Sequence, residues 1–267
     1  MKNEKHAVCN GKIISEAEAV VPVTRTEIQC GYSVYESLRI IKGQIVHFPD
    51  HFDRLKFSAD FLKMDFPLKE KTILQWINKL IKEDNLDDAT IRLLYVGGEP
   101  ELFFVTWSPI LSYPAQYYIN GVKTIVYKGE RYLPKCKTSN LLMNYLARLE
   151  AGSNNAFEAL LENRNGQLLE GTRSNFYAFK NGVIYTAPLS QVLQGVTRIA
   201  VFKAAEKLGI NIIEESPLSC DIDDFEEAFI SATSMGAMPL SSINEKILKG
   251  PFERTNKICE LVRKGEL

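Results

Sequence analysis

"GYSVYESLRIIKGQIVHFPDHFDRLKFSADFL", residues 31–62, changes its apolar period half-way along. In its first part the residues alternate, which places Tyr35, Ser37 and Arg39 on one face of a strand. Lys42-Gly43 then supplies a turn inside "LRIIKGQIVHF", which reads as a hairpin. From Asp50 the apolar residues of "DHFDRLKFSADFL" recur at helical spacing. A hairpin running directly into an amphipathic helix points to an α+β fold.

The same alternation recurs along the chain. "HAVCNGKIISE", "LENRNGQLLEG" and "FYAFKNGVIYTA" each put an Asn-Gly pair between strand-like runs, so antiparallel sheet is expected in both halves. "EKTILQWINKLIKED" and "VTRIAVFKAAEKLG" have helical periodicity, the second ending at Gly209 as a helix C-terminus should. Residues 107–121, "WSPILSYPAQYYING", hold two prolines and no clear period, and make the best linker. The expected division is a small N-terminal α+β domain, 1–114, and a C-terminal α+β domain, 115–267.

Bulk properties exclude several classes of function. With 32 basic and 33 acidic residues the net charge is -1, so no nucleic-acid footprint is visible. Five cysteines without C-x-x-C spacing argue against a disulfide framework and a zinc site, and suit a reducing cytoplasm. The three histidines have no companions at metal spacing, so no metal is expected. Neither a signal peptide nor a membrane span is expected.

Three places carry chemistry. In "KCKTSNLLMNYLARLEA", residues 135–151, Thr138, Ser139 and Asn140 are cap-type residues ahead of Leu141, Leu142, Tyr145, Leu146 and Leu149 at helical spacing. A helix is therefore expected to begin just after Lys137, where its positive end disfavours the ammonium and leaves an amine able to form a Schiff base. In "LLEGTRSNFYAF", Glu170 ends an apolar strand, which calls for a cationic partner. In "LQGVTRIAVF", Gly195-Val196-Thr197 opens a helix with the backbone and hydroxyl donors of a phosphate site. Singly, these also read as a loop lysine, a solvated hairpin glutamate and a plain threonine cap. Together they match the aldehyde, pyridine nitrogen and phosphate of pyridoxal 5'-phosphate.

The chain also resembles the class IV aminotransferase family of fold type IV pyridoxal-phosphate enzymes, over about Asn10 to Lys249. The resemblance rests on the 31–62 stretch, "KTSNLLMNYLARLEA", "LEGTRSN", "GVTR" and "SATS". It implies a two-domain, D-amino acid aminotransferase-like fold of antiparallel sheets and packed helices, with the cofactor between the domains. It also implies a homodimer. Lys137 would hold the cofactor as an internal aldimine and act as acid/base, and Glu170 would keep the pyridine nitrogen protonated. Arg54, Val196, Thr197 and Thr233 would hold the phosphate. Tyr35, Arg92 and Ser234 would face the substrate.

The family's first-half turn commonly has an aspartate that Gly31–Glu36 lacks, and Thr90 stands where branched-chain members carry tyrosine. Asn140, third after Lys137, is more like the D-amino acid aminotransferase and lyase branches. The expected activity is amino transfer between an alpha-amino acid, of branched-chain type, and a 2-oxo acid. The alternatives are an aminodeoxychorismate lyase releasing pyruvate and a family member that binds the cofactor without turnover.

Overall fold

The computed structural model describes residues 5–264. It forms two compact units, one of the chain up to Leu111 together with Cys136–Asn140, the other of Ser112–Lys135 and the chain from Leu141 onward.

In the first unit, β1 (His6–Cys9), β2 (Lys12–Ser15), β3 (Ser33–Ile41), β4 (Gln44–Ile45), β5 (Ala89–Val96) and β6 (Leu102–Pro109) form one sheet in the order β2-β1-β6-β5-β3-β4. All its pairings are antiparallel. Asn10 and Lys42 adopt left-handed backbone ahead of Gly11 and Gly43, as two tight hairpins require. A short α1 (Thr26–Cys30) precedes β3. Helices α2 (Phe48–Phe61) and α3 (Glu70–Asp84) bury Leu55, Ala59, Ile73, Ile77 and Leu80 in one core with Val34, Leu38, Ile40, Ile91 and Leu93 of the sheet. Each large apolar side chain among them contributes roughly 1.5–3 kcal/mol by leaving water. β3 thus turns Val34, Glu36, Leu38 and Ile40 toward the core, and Tyr35, Ser37 and Arg39 toward the other face.

The second unit contains α4 (Ala115–Asn120), β7 (Val122–Lys128), α5 (Leu142–Ser153), β8 (Glu158–Glu162), β9 (Leu168–Gly171), β10 (Asn175–Lys180), β11 (Val183–Tyr185), α6 (Val196–Lys207), β12 (Ile212–Ile213), β13 (Glu227–Ala232), β14 (Gly236–Ile243), β15 (Lys246–Ile247) and α7 (Glu253–Lys264). Strands β7-β8-β9-β10-β13-β14 pair in sequence, and β14 pairs back to β7, so six strands close a ring. β7 runs parallel to both of its neighbours, and β12 is parallel to β11. These parallel pairings join the antiparallel sheet expected here.

Both faces of the ring are covered. Phe176, Ala178, Ile230, Met238 and Leu240 enter one apolar cluster, while Tyr177, Phe179 and Phe229 pack with Val201 and Ala205 of α6 and Ile258 and Val262 of α7. That explains why "NFYAF" and "EAFIS" read as unbroken apolar runs rather than alternating ones.

The 107–121 stretch contains the change from the first unit to the second, between Leu111 and Ser112, along with the end of β6 at Pro109 and the start of α4 at Ala115. One expectation is corrected. The helix after Lys137 begins only at Leu142, because residues 137–139 pair with β3.

Candidate active site

The segment carrying Lys137 is an extra rung on β3. Tyr35 N–H donates to the Lys137 carbonyl at 3.0 Å, Ser139 N–H donates to the Ser33 carbonyl at 3.0 Å, and Thr138 bridges to Val34. Lys137 therefore lies five residues before Leu142, the first residue of α5, and is held by strand pairing rather than as the residue before a helix cap. Its amine meets a ring. Lys137 Nζ lies 4.7 Å from the centroid of Tyr35, and the Arg92 guanidinium carbon lies 4.2 Å from the same ring. Tyr35, Arg92 and Lys137 are thus brought together, two basic groups on one π-system. Arg92 reaches it from β5, where it is paired with Ser37.

Arg54 is linked to this group through Ser58. The Lys137 N–H donates to Ser58 Oγ at 3.0 Å, and that hydroxyl donates to the Arg54 carbonyl at 2.8 Å. The Arg54 guanidinium donates through Nε (2.6 Å) and Nη2 (2.7 Å) to the wholly buried carboxylate of Glu36. His51 Nδ1 meets Oε2 of that carboxylate, the oxygen that Nη2 also contacts, at 2.7 Å.

Burial by itself would raise the Glu36 carboxyl. The charge and hydrogen bonds of Arg54, with those of His51, outweigh it and hold the group down to about 2. An ionised carboxylate only accepts, so Nδ1 carries the hydrogen and neutral His51 turns a lone pair outward at Nε2. That buried Nε2 has no partner among the described residues. Burial pushes His51 down in pKa, Glu36 opposes this, and Arg54 and Lys137 push it further down.

Glu36 and His51 were not among the residues singled out in sequence. The signal was present: strand alternation puts Glu36 among Val34, Leu38 and Ile40, a charge on an apolar face that needs buried partners.

In the second unit Glu170 is buried at the end of β9 and paired with Asn175 of β10, which pairs in turn with Ser231 of β13. Its cationic partner is Arg131, with Nη1 3.6 Å from Oε1. Its other oxygen accepts the Leu193 N–H at 3.2 Å. Asn175 Nδ2 donates to the Leu193 carbonyl at 2.9 Å. Two residues on, Gly195 is the N-cap of α6, with no side chain capping that end. Buried Val196 and Thr197 follow as the first helical residues. A Cβ at Gly195 would collide with Asn175 Oδ1, so any larger residue there would force the Asn175 side chain to move.

The turn between Glu170 and Asn175 is also pinned. Thr172 and Ser174 donate their hydroxyls to buried Glu158 at 2.5 and 3.2 Å. Thr233 and Ser234 stand at the tip joining β13 to β14, beside the Ser231 rung, with Ser234 Oγ 3.5 Å from the Tyr113 hydroxyl. Arg131, Asn175 and Glu158 were also missed in sequence, because their partners lie on other strands and loops.

An amine beside a tyrosine, a carboxylate braced by an arginine, and a helix start without a side-chain cap occur with an ordered family pattern along the chain. The family model described as amino-transferase class IV matches residues 33–243. The chain is 31% identical to a provisionally named branched-chain-amino-acid aminotransferase of Methanocaldococcus jannaschii, covering 94% of this chain and 93% of that one. It is a class IV aminotransferase.

Other relatives vary in name. A D-alanine aminotransferase of Bacillus licheniformis is 30% identical to this class IV aminotransferase over 88% of this chain and 87% of that one. Among solved structures, a branched-chain aminotransferase of Thermoproteus uzoniensis, with norvaline, superposes at a TM-score of 0.89 with 25% identity, covering 98% and 94%. The branched-chain amino acid aminotransferase of Escherichia coli has the same fold, at TM-score 0.85, 22% identity and 98% and 92% coverage.

The fold is fold type IV, and class IV aminotransferases depend on pyridoxal 5'-phosphate. The donor set suits that cofactor. The first unit holds an amine of the kind that takes an aldehyde and a guanidinium of the kind that takes a phosphate, and the second holds a carboxylate suited to a protonated ring nitrogen and a glycine-capped helix start suited to an anion. Among the described residues no cluster of metal-binding groups occurs, and no helix is long and apolar enough to cross a membrane.

Proposed function

We propose that this class IV aminotransferase moves an amino group between an alpha-amino acid, of branched-chain type, and a 2-oxo acid. The observation that carries this reading is the stacking of Lys137 and Arg92 on the Tyr35 ring. It puts a nucleophilic amine beside a guanidinium suited to a substrate carboxylate.

When bound, the cofactor supplies an aldehyde and an electron sink for the alpha carbon. Lys137 would supply the amine that holds the cofactor, and the base and acid that move the proton of the alpha carbon. Glu170, braced by Arg131, holds the proton on the pyridine nitrogen. Arg54, the Val196 and Thr197 N–H groups and Thr233 hold the phosphate. Tyr35, Arg92 and Ser234 orient the substrate, Arg92 through its carboxylate.

The enzyme acts as a homodimer in the cytoplasm. On α5, Leu142, Tyr145, Leu146 and Leu149 are between 46% and 68% exposed, an apolar row of the kind a second copy covers. Five free cysteines suit a reducing compartment.

The test is the visible spectrum of the cofactor-loaded protein as single donors are added: L-leucine, L-valine, L-glutamate and D-alanine. Loss of the band with a branched-chain donor, restored by a 2-oxo acid, is the expected result. A response to D-alanine alone would move the reading to D-amino acids, as in the names of several relatives. Silence toward every donor, with pyruvate released from aminodeoxychorismate, would replace transfer by the lyase reaction.

A further inference from the structure

The cluster of Glu36, His51 and Arg54 contains more than a phosphate-binding arginine needs. Arg54 is already neutralised by a buried carboxylate that takes two of its hydrogen bonds. A phosphate dianion arriving on that guanidinium would leave a surplus of negative charge, with Glu36 contributing to it in a low-dielectric surrounding. Beside Arg54, the group that hydrogen-bonds Glu36 and can still gain a proton is His51. Its Nδ1 is occupied by Glu36, and its Nε2 is buried without a donor among the described residues. An acceptor left so costs roughly 1–3 kcal/mol.

We propose that His51 is a positioning and charge-matching residue for the cofactor's phosphate, neutral while Arg54 and Glu36 are alone and protonated at Nε2 once the dianion settles on Arg54. This rests on the reading that Arg54 holds the phosphate.

The charged groups around the imidazole set the direction. Glu36 faces it from β3 and favours the proton. Arg54, from its own helix, and Lys137, from the 136–140 segment, oppose it, as does burial. Asp50 of the same helix acts on Arg54. Two opposing cations are the groups a phosphate dianion would offset, so ligand binding moves the balance toward imidazolium. The proton comes from solvent and no bond between heavy atoms changes. Imidazolium at Nε2 then donates where the neutral ring could only accept, while Nδ1 keeps its bond to Glu36 and with it the setting of the guanidinium.

The chain has three histidines, so its imidazole signals can be followed one by one by nuclear magnetic resonance during a pH titration. The titration is run on cofactor-free protein, then with pyridoxamine 5'-phosphate, which lacks the aldehyde and does not involve the Lys137 amine. It is repeated with sulfate, a dianion that does not titrate here. His51→Asn assigns the signal. Should that variant not fold, replacing His6 and His47 leaves His51 as the sole histidine.

The His51 midpoint is expected to rise by about one pH unit or more with either ligand, while pyridoxamine without phosphate leaves it in place. A midpoint unmoved by the phosphate compound would overturn the proposal. Arg54→Lys separates this failure from failure of the underlying reading. It should weaken pyridoxamine 5'-phosphate but not pyridoxamine. Equal effects on both would remove Arg54 from the phosphate site, and this proposal with it.

Discussion

Asn175 holds the carbonyl of Leu193 through its Nδ2 at 2.9 Å. The N–H of that leucine goes to Glu170 at 3.2 Å. Since Asn175 and Glu170 face each other across β9 and β10, one rung of the ring grips one loop residue by both of its backbone polar groups. Gly195, two residues on, opens α6. The carboxylate proposed for the pyridine end and the helix start proposed for the phosphate are therefore set by the same contacts.

Gly195→Ala and Asn175→Ala should couple. Gly195 has an ordinary φ of -66°, so alanine is unwelcome there because its Cβ would run into Asn175 Oδ1. Gly195→Ala alone should destabilise by about 1–3 kcal/mol. In the Asn175→Ala background, which by itself loses a bond worth about 1 kcal/mol, most of that penalty should vanish. Urea unfolding of the four proteins measures the coupling, and strict additivity would refute the contact.

Acid should weaken the first unit through Glu36. Its folded-state value of about 2 lies below the ordinary 4.5. The stability it lends is therefore complete above about pH 4.5 and is lost as pH falls toward 2, on the order of 3 kcal/mol in all. Glu36→Gln should flatten this part of the stability curve while lowering the plateau, since it leaves Arg54 buried without its carboxylate. Thermal melts at stepped pH test both.

Lys137→Ala should load without the visible band that marks covalent attachment, and Lys137→Arg should behave alike despite keeping the charge. Glu170→Gln should keep the band yet exchange amino groups at least about 100-fold more slowly, because the ring nitrogen loses its anionic partner. An unchanged band in Lys137→Ala would remove that residue from its proposed role.

Leu142→Glu with Leu146→Glu should yield monomers in analytical ultracentrifugation at micromolar protein without lowering the melting temperature of the monomer. Neither residue belongs to the cluster in which Ala147 and Ala151 pack α5 onto Ile125, Ala159 and Leu161. A dimer that persists through both charges would place the interface elsewhere.

Turns and helix ends are legible in the sequence where local chemistry decides the structure. Asn10-Gly11, Lys42-Gly43 and Asn181-Gly182 all take positive φ as hairpin turns do. The 70–84 helix falls where its periodicity puts it, and Gly209 has positive φ just beyond α6. The start of α5 was misplaced because Thr138 and Ser139, apt caps, give their backbone to β3 instead. Periodicity also found the Leu142, Tyr145, Leu146 and Leu149 row but could not say whether core or solvent meets it. Closure of the ring joins residues far apart in the chain, so no short window contains it, whereas Glu36 and His51 are fifteen residues apart and meet only because a strand and a helix pack together.

The closed ring also dictates an order of events during synthesis. Val122 of β7 is paired with Leu240 of β14, whereas β9 finds β10 a few residues away. The hairpins can form while the chain is still emerging, but the last seam must wait until β14 has left the ribosome. Until then β7 carries unpaired backbone groups on one side, and the nascent chain is at its most vulnerable to pairing with the wrong strand.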